Sequence, residues 1–364
     1  VNGVATLTAA NGAITVATDA AASGGTNATA RAITLNGLAG LKVNAASATA
    51  DDLTLATRAG DLAVAQASAP SGDIVLTSAN GGITLGQVSG GRALTGSASG
   101  LLTVNGNVSA PTISLTSGDI AIGANGQLGS RTQTTALTLT STADRTFVGG
   151  SGASSGWRLD GGEIGRVGSA SDITIAANPQ NPTGQAFALI DPASATLVLD
   201  ALTFNGDQIG PGGALTFRSA RSIGVVGAMQ FAGFNANQTV ALDAGRDISL
   251  AAETGSIAVK DSGGALTGTL RLRGQQVYAM SAPARAAAAN LTLAALDQRL
   301  AANDGAANDG GYFQAGRLAV SIDRLFAIQN SGANGGDLDD RRGYTAGTLT
   351  IQSTGASPAQ VSVN

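Results

Sequence analysis

The chain contains no cysteine and no histidine among its 364 residues. Without cysteine there are no disulfides, no thiolate metal ligands and no thiol nucleophile. Without histidine the commonest metal ligand and the commonest general base at neutral pH are both missing. Aromatic residues make up 3% and charged residues 12%, against about a quarter charged in an average soluble domain. The formal net charge of -4 gives no electrostatic case for nucleic acid or for an anionic membrane as a partner. No apolar run reaches the roughly 18 to 20 residues that cross a bilayer, so the chain is not expected to be membrane-spanning. The first residues, Val1 to Thr8, have neither the charged start nor the apolar stretch of a signal peptide. They already read as strand, so a mature or excised segment is expected.

What is present is a repeat. Ile33/Leu35, Leu53/Leu55, Ile74/Leu76, Leu94 and Ile113/Leu115 form one apolar series whose first members lie 20, 21, 20 and 19 residues apart. Leu41/Val43, Leu62/Val64, Ile83/Leu85, Leu102/Val104 and Ile120/Ile122 form a second, spaced 21, 21, 19 and 18 apart. Two interleaved registers with one period are the mark of a solenoid in which each period is a rung stacked on the last. The fold class expected is therefore all-β, a parallel β-helix (β-solenoid) with about 20 residues per rung. Two strands per rung follow from the two series, and a shorter third is expected. A lone rung buries too little to fold, so stability is expected to pass from neighbour to neighbour. Some fifteen rungs at about 4.8 Å would make a rod roughly 70 Å long.

Turn residues fall where such strands must bend, at Asn11-Gly12, Asn36-Gly37, Ser71-Gly72-Asp73, Asn80-Gly81-Gly82, Asn105-Gly106 and Ser117-Gly118-Asp119. Asp52, Asp61, Asp73 and Asp119 each precede a strand and are read as acceptors of backbone N–H bonds at the corners. Thr34, Thr54, Val75, Thr95 and Ser114 lie between the inward pairs of the first series and should stack as an external, mostly hydroxyl column. Its simplest reading is β-propensity on a solvated face. Ordering of water, as on ice-binding solenoids, would need two adjacent outward threonines per strand.

Three stretches are distinguished. Residues 1–142 are the regular shaft. Residues 143–272 continue the β-helix with protruding loops and aromatics. They begin with Phe147, Trp157 and a decorated rung at Leu159 to Ile164. Pro179, Pro182 and Pro192 are too many for a central ladder, and Ala177 to Pro182 is read as a loop. Phe187, Phe204, Phe217, Phe231 and Phe234 are read as filling a wider core. Residues 273–364 are the divergent part. There Ser281, Pro283 and an Ala-rich run predict a short helix near 284–300, before strands return at Leu318/Val320, Ile322, Leu325, Ile328 and Leu349/Ile351. Asn330 to Gly343 is read as loop.

Aspartate exceeds glutamate 22 to 2, and the tightest cluster is Asp337, Asp339 and Asp340 beside Arg341 and Arg342. A polysaccharide-cleaving enzyme on a β-helix would need converging carboxylates in a groove. This cluster, in a Gly-rich loop with its own arginines, reads instead as a solvated and self-paired turn. Asn303-Asp304-Gly305 and Asn308-Asp309-Gly310 complete no EF loop, and the GGxGxDxUx repeat of calcium-binding β-rolls is absent. No catalytic, cofactor-binding or metal-binding residue is therefore assigned, and no enzymatic activity is expected.

The phrase Ser71-Gly-Asp-Ile-Val-Leu-Thr-Ser-Ala-Asn-Gly-Gly-Ile-Thr-Leu resembles the repeats of filamentous-haemagglutinin-like exoproteins. Ala244-Gly-Arg-Asp-Ile-Ser-Leu-Ala-Ala-Glu-Thr-Gly-Ser-Ile-Ala-Val carries the same phrase. The resemblance covers most of 1–142 and about 240–272. It implies that the parallel β-helix is right-handed, and that the protein is secreted or surface-exposed on a Gram-negative bacterium, acting as an adhesin, a filament shaft or a stalk presenting a C-terminal toxin. The partners it implies are further copies joined end to end through open rungs, and glycans of host or neighbouring-cell surfaces or matrix. Asn181-Pro182-Thr183-Gly184 only faintly matches the Asn-Pro-Asn-Gly turn of two-partner secretion domains, and no C-terminal barrel is recognised. A fragment of a longer exoprotein, or a subunit whose ends meet neighbours, is expected.

Overall fold

A computed structural model describes residues 4–18, 24–150, 156–178, 190–251, 254–280, 313–328, 344–353 and 360–363. The chain is an all-β parallel solenoid, with its long strands paired in parallel from rung to rung. Contacts divide it into two compact units. The first holds Val1–Ala143, Gly156–Ile175 and Gln208–Gly210; the second holds Asp144–Ser155, Ala176–Asp207 and Pro211–Asn364.

In the first unit both apolar series become stacks in strict register. Ile33, Leu53, Ile74, Leu94, Ile113 and Leu137 lie one above another. Leu41, Leu62, Ile83, Leu102 and Ile120 form the second stack. These side chains are buried, as the alternation requires of strands with one inward face. The third strand exists; it runs on from the second through a bend in Leu41–Ala48, Leu62–Ala69 and Ile83–Gly90, and is a separate strand at Thr26–Ala30, Asn107–Ser109 and Gln127–Leu128. Its inward stack is Ala28, Ala46, Ala67, Val88, Val108 and Leu128. Alanine here brings the wall close to the core. Corners also leave little room between rungs: a Cβ on Gly91 would collide with the carbonyl oxygen of Pro70 in the rung before.

The second unit uses longer rungs. Leu197, Ile223 and Ile248 stack 26 and then 25 residues apart. Leu215, Val240 and Leu270 form a second stack, and Leu202, Met229 and Ile257 a third. The extra residues widen the interior, which aromatics fill. Phe204, Phe217, Phe231 and Phe234 are all buried, with ring centroids 5.9 to 6.3 Å apart. These distances suit tilted and edge-on packing, so these four are core residues. Parallel pairing continues through Phe313–Ile328, Tyr344–Ser353 and Gln360–Val363. Phe187, the helix expected near 284–300, the Asn330 to Gly343 loop and all but the first two residues of the Ala177 to Pro182 loop lie outside the described residues.

Candidate functional site

The corner aspartates do accept backbone N–H groups, and Asp52, Asp61 and Asp73 do so from the equivalent corner one period on. Asp52 Oδ1 accepts from Asp73 N at 2.8 Å, Asp61 Oδ1 from Gly82 N at 2.7 Å, and Asp73 Oδ1 from Ala93 N at 3.2 Å. Each carboxylate thus ties its rung to the next. Asp119 differs, accepting from Ile120 N and, at 3.0 Å, from Arg158 N. The Asp73 N–H holds the Asp52 carboxyl below its ordinary value, and Arg92, whose guanidinium lies 2.9 Å from it, adds to the effect. Arg31 pairs with Asp51 at 2.7 Å. Arg31, Asp51, Arg92 and Asp52 are well exposed, and such pairs contribute little to stability. They are structural corners.

The outward column of the first series is in register as expected, from Thr15 through Thr34, Thr54, Val75, Thr95 and Ser114 to Thr138. A second outward column stands beside it, with Thr77, Ser97, Thr116 and Thr140 aligned. Two hydroxyls per strand therefore occur at Thr95/Ser97, Ser114/Thr116 and Thr138/Thr140. At about 4.8 Å between rungs this doubled array is only about 10 Å deep. So small a patch, interrupted at Val75 and mixed with serine, acts as solvated β-forming surface.

A different outward feature is concave. Where the second strand bends into the third, a shallow groove of about 370 Å³ runs from rung to rung. Along one side stand the amides Gln66, Gln87 and Asn107, and along the other the hydroxyls Thr29, Ser47, Ser68, Ser89 and Ser109. Register places them: Thr29, Ser47, Ser68, Ser89 and Ser109 pair in succession, as do Gln66 and Gln87. Ala46, Ala67 and Val88 form the floor. No charged side chain lines it. The sequence signal was present, since Ser47, Ser68 and Ser89 recur every 21 residues and Gln66 and Gln87 share that interval. Apolar periodicity does not report it, because the repeating residues are polar.

The decorated rung at 156–168 holds a short helix, Gly161–Ile164, closed by a capping box. Asp160 Oδ1 accepts from Glu163 N at 2.8 Å, and Glu163 Oε2 accepts from Asp160 N at 2.9 Å. The other oxygen, Oε1, accepts from Ile122 N at 2.9 Å, so this carboxylate ends the ladder of strand Thr112–Ile122. Arg166 donates to the Ile122 carbonyl at 2.6 Å, and Gln208 Nε2 donates to the carbonyls of Ile164 and Val167. Burial raises the Glu163 carboxyl above its ordinary value, opposed by the two N–H bonds it accepts. Glu163→Ala is expected to lower hydrogen-exchange protection of the Ile122 and Asp160 amides by about tenfold, the loss of one cap. Unchanged exchange there would show that the carboxylate is dispensable.

In the second unit Asp247 is fully buried, although its phrase Gly-Arg-Asp-Ile parallels the exposed corner at Gly72-Asp73-Ile74. Its Oδ2 lies 3.0 Å from Arg246 Nε, and its Oδ1 accepts from Gln276 Nε2 at 3.0 Å. Burial pushes the carboxyl up to about 6 despite Arg246 and Gln276, which both favour the charged form.

Asp337, Asp339, Asp340, Arg341, Arg342 and the Asn303 to Gly310 segment lie outside the described residues. Among the described residues no three of Asp, Glu, His or Cys converge as a metal site would require, and no helix is long and apolar enough to cross a membrane. Comparison of the chain with protein families, curated proteins and solved structures found no match.

Proposed function

We propose that this chain is a structural and adhesive segment of a secreted or surface-exposed protein of a Gram-negative bacterium. Its role is to span distance and present loops and grooves along a solenoid. The observation that carries this reading is the unbroken register of rungs from Ala13–Thr18 to Ala136–Ser141, with hydroxyls and amides repeated on its outside. The resemblance to filamentous-haemagglutinin-like repeats supports it. Beads coated with the purified chain are expected to adhere to bacterial or host-cell layers. Turnover of polysaccharide by the purified chain, lost in Asp339→Ala, would overturn the reading in favour of a hydrolase or lyase.

End-to-end association into filaments belongs to the same proposal. Open ladders and apolar ends favour pairing with another edge. Light scattering is expected to show mass rising with concentration, and a monodisperse monomer at high concentration would refute association.

A further inference from the structure

We propose that the groove between the Gln66/Gln87/Asn107 amides and the Ser47/Ser68/Ser89 hydroxyls binds an extended, uncharged polysaccharide chain running from rung to rung. The proposal rests on the adhesive reading and gives it a ligand class. Three observations carry it.

First, the lining groups are unspent. Gln66, Gln87, Asn107 and Ser89 are exposed, and none of the six side chains hydrogen-bonds within the described residues. Stacked amides commonly bond to one another; here the column is left with donors and acceptors directed to solvent. Second, the groove offers paired donors and acceptors but no charge, which matches sugar hydroxyls and gives nothing to a sulfated or carboxylated polymer. Third, its repeat is the rung, about 4.8 Å. An extended peptide rises about 3.3 Å per residue, with same-face side chains recurring every ~6.7 Å, and so falls out of step within a few residues. A pyranose in an extended chain is about one rung long. Each sugar then meets the same amide and hydroxyl pair, and weak contacts add along the polymer.

The test is titration calorimetry on the full chain with cellohexaose, xylohexaose and mannohexaose, and with hexagalacturonate as the charged comparator. At least one neutral hexasaccharide is expected to bind, and hexagalacturonate to bind at least about tenfold more weakly. Gln66→Ala with Gln87→Ala should weaken neutral binding by about tenfold or more while melting is unchanged, since both side chains are exposed. Thr95→Ala with Thr116→Ala, on the outward hydroxyl face, should change it less than twofold. Absence of binding by all three neutral probes, or equal binding by the Gln66/Gln87 variant, would overturn the proposal. If no neutral probe binds while the parent adheres to cells, the groove is wrong and the adhesive reading stands. If the parent neither binds a neutral probe nor adheres to cells, both fall.

Discussion

Asp247→Asn is expected to stabilise the second unit at neutral pH by up to about 3 kcal/mol. The carboxyl is fully buried and titrates at about 6 in the fold, against 3.8 when free. A raised acid pKa means that the native state holds its proton more tightly than the unfolded chain. Stability from this group is therefore full below the free value and is lost as pH rises through the folded value. The difference, at about 1.4 kcal/mol per unit, is what the ionised form costs at pH 7. That figure already contains the attraction of Arg246, 3.0 Å away, because the raised value is the net of burial and pairing. Asparagine keeps the acceptor for Gln276 and resembles the protonated acid. Urea denaturation of both proteins from pH 3 to pH 8 should give curves that coincide at the acid end and separate between about pH 4 and 6. Parallel curves over that window would show that the ionised carboxylate is not penalised.

Trp157→Ala should be the most damaging single change in the first unit, at about 3–5 kcal/mol. The indole is fully buried, and its N–H donates to Ser117 Oγ at 3.1 Å. Truncation removes the largest buried side chain of the unit and orphans a hydroxyl that is itself 2% exposed. Because solenoid stability is shared between neighbours, the effect should be local first. Hydrogen exchange is expected to accelerate over Ser117 to Ile122 before the rungs around Leu53–Thr57 respond. Trp157→Phe should retain most of the packing and lose only the hydrogen bond. Equal destabilisation by Phe and Ala would place the weight on that bond instead.

What could be read from sequence follows from contrast. Leucine, isoleucine and valine alternating with polar residues stand out, so two strand columns and their period were legible with their register. A third strand was expected but its residues were not placed, because the inward Ala28, Ala46 and Ala67 do not differ in kind from their neighbours in a small-residue chain. The groove was legible as polar repetition, though not as concavity, which arises from a bend between two outward residues. The capping box was visible as Asp160 and Glu163 three residues apart. Its third bond, to Ile122, was not, because that amide lies 41 residues earlier. Asp247 was the hardest. The same local phrase is solvated at Asp73 and buried at Asp247, and Gln276, which bonds it, lies 29 residues on. Local sequence cannot report what the following rung will cover.

The cross-rung carboxylates bear on how such a chain changes length. Asp52, Asp61 and Asp73 reach amides 21, 21 and 20 residues ahead. Excising one whole period, for example residues 53–73, brings Ile74 to the place of Leu53 and leaves Asp52 facing the next equivalent corner, at Ala93. Excising ten residues puts a strand where a corner must be and turns inward side chains out. Changes in length that keep the fold are therefore quantised: gain or loss of a whole repeat preserves the register, and intermediate lengths break it. The stagger of a carboxylate by one turn of the coil makes the repeat a unit of inheritance as well as of packing.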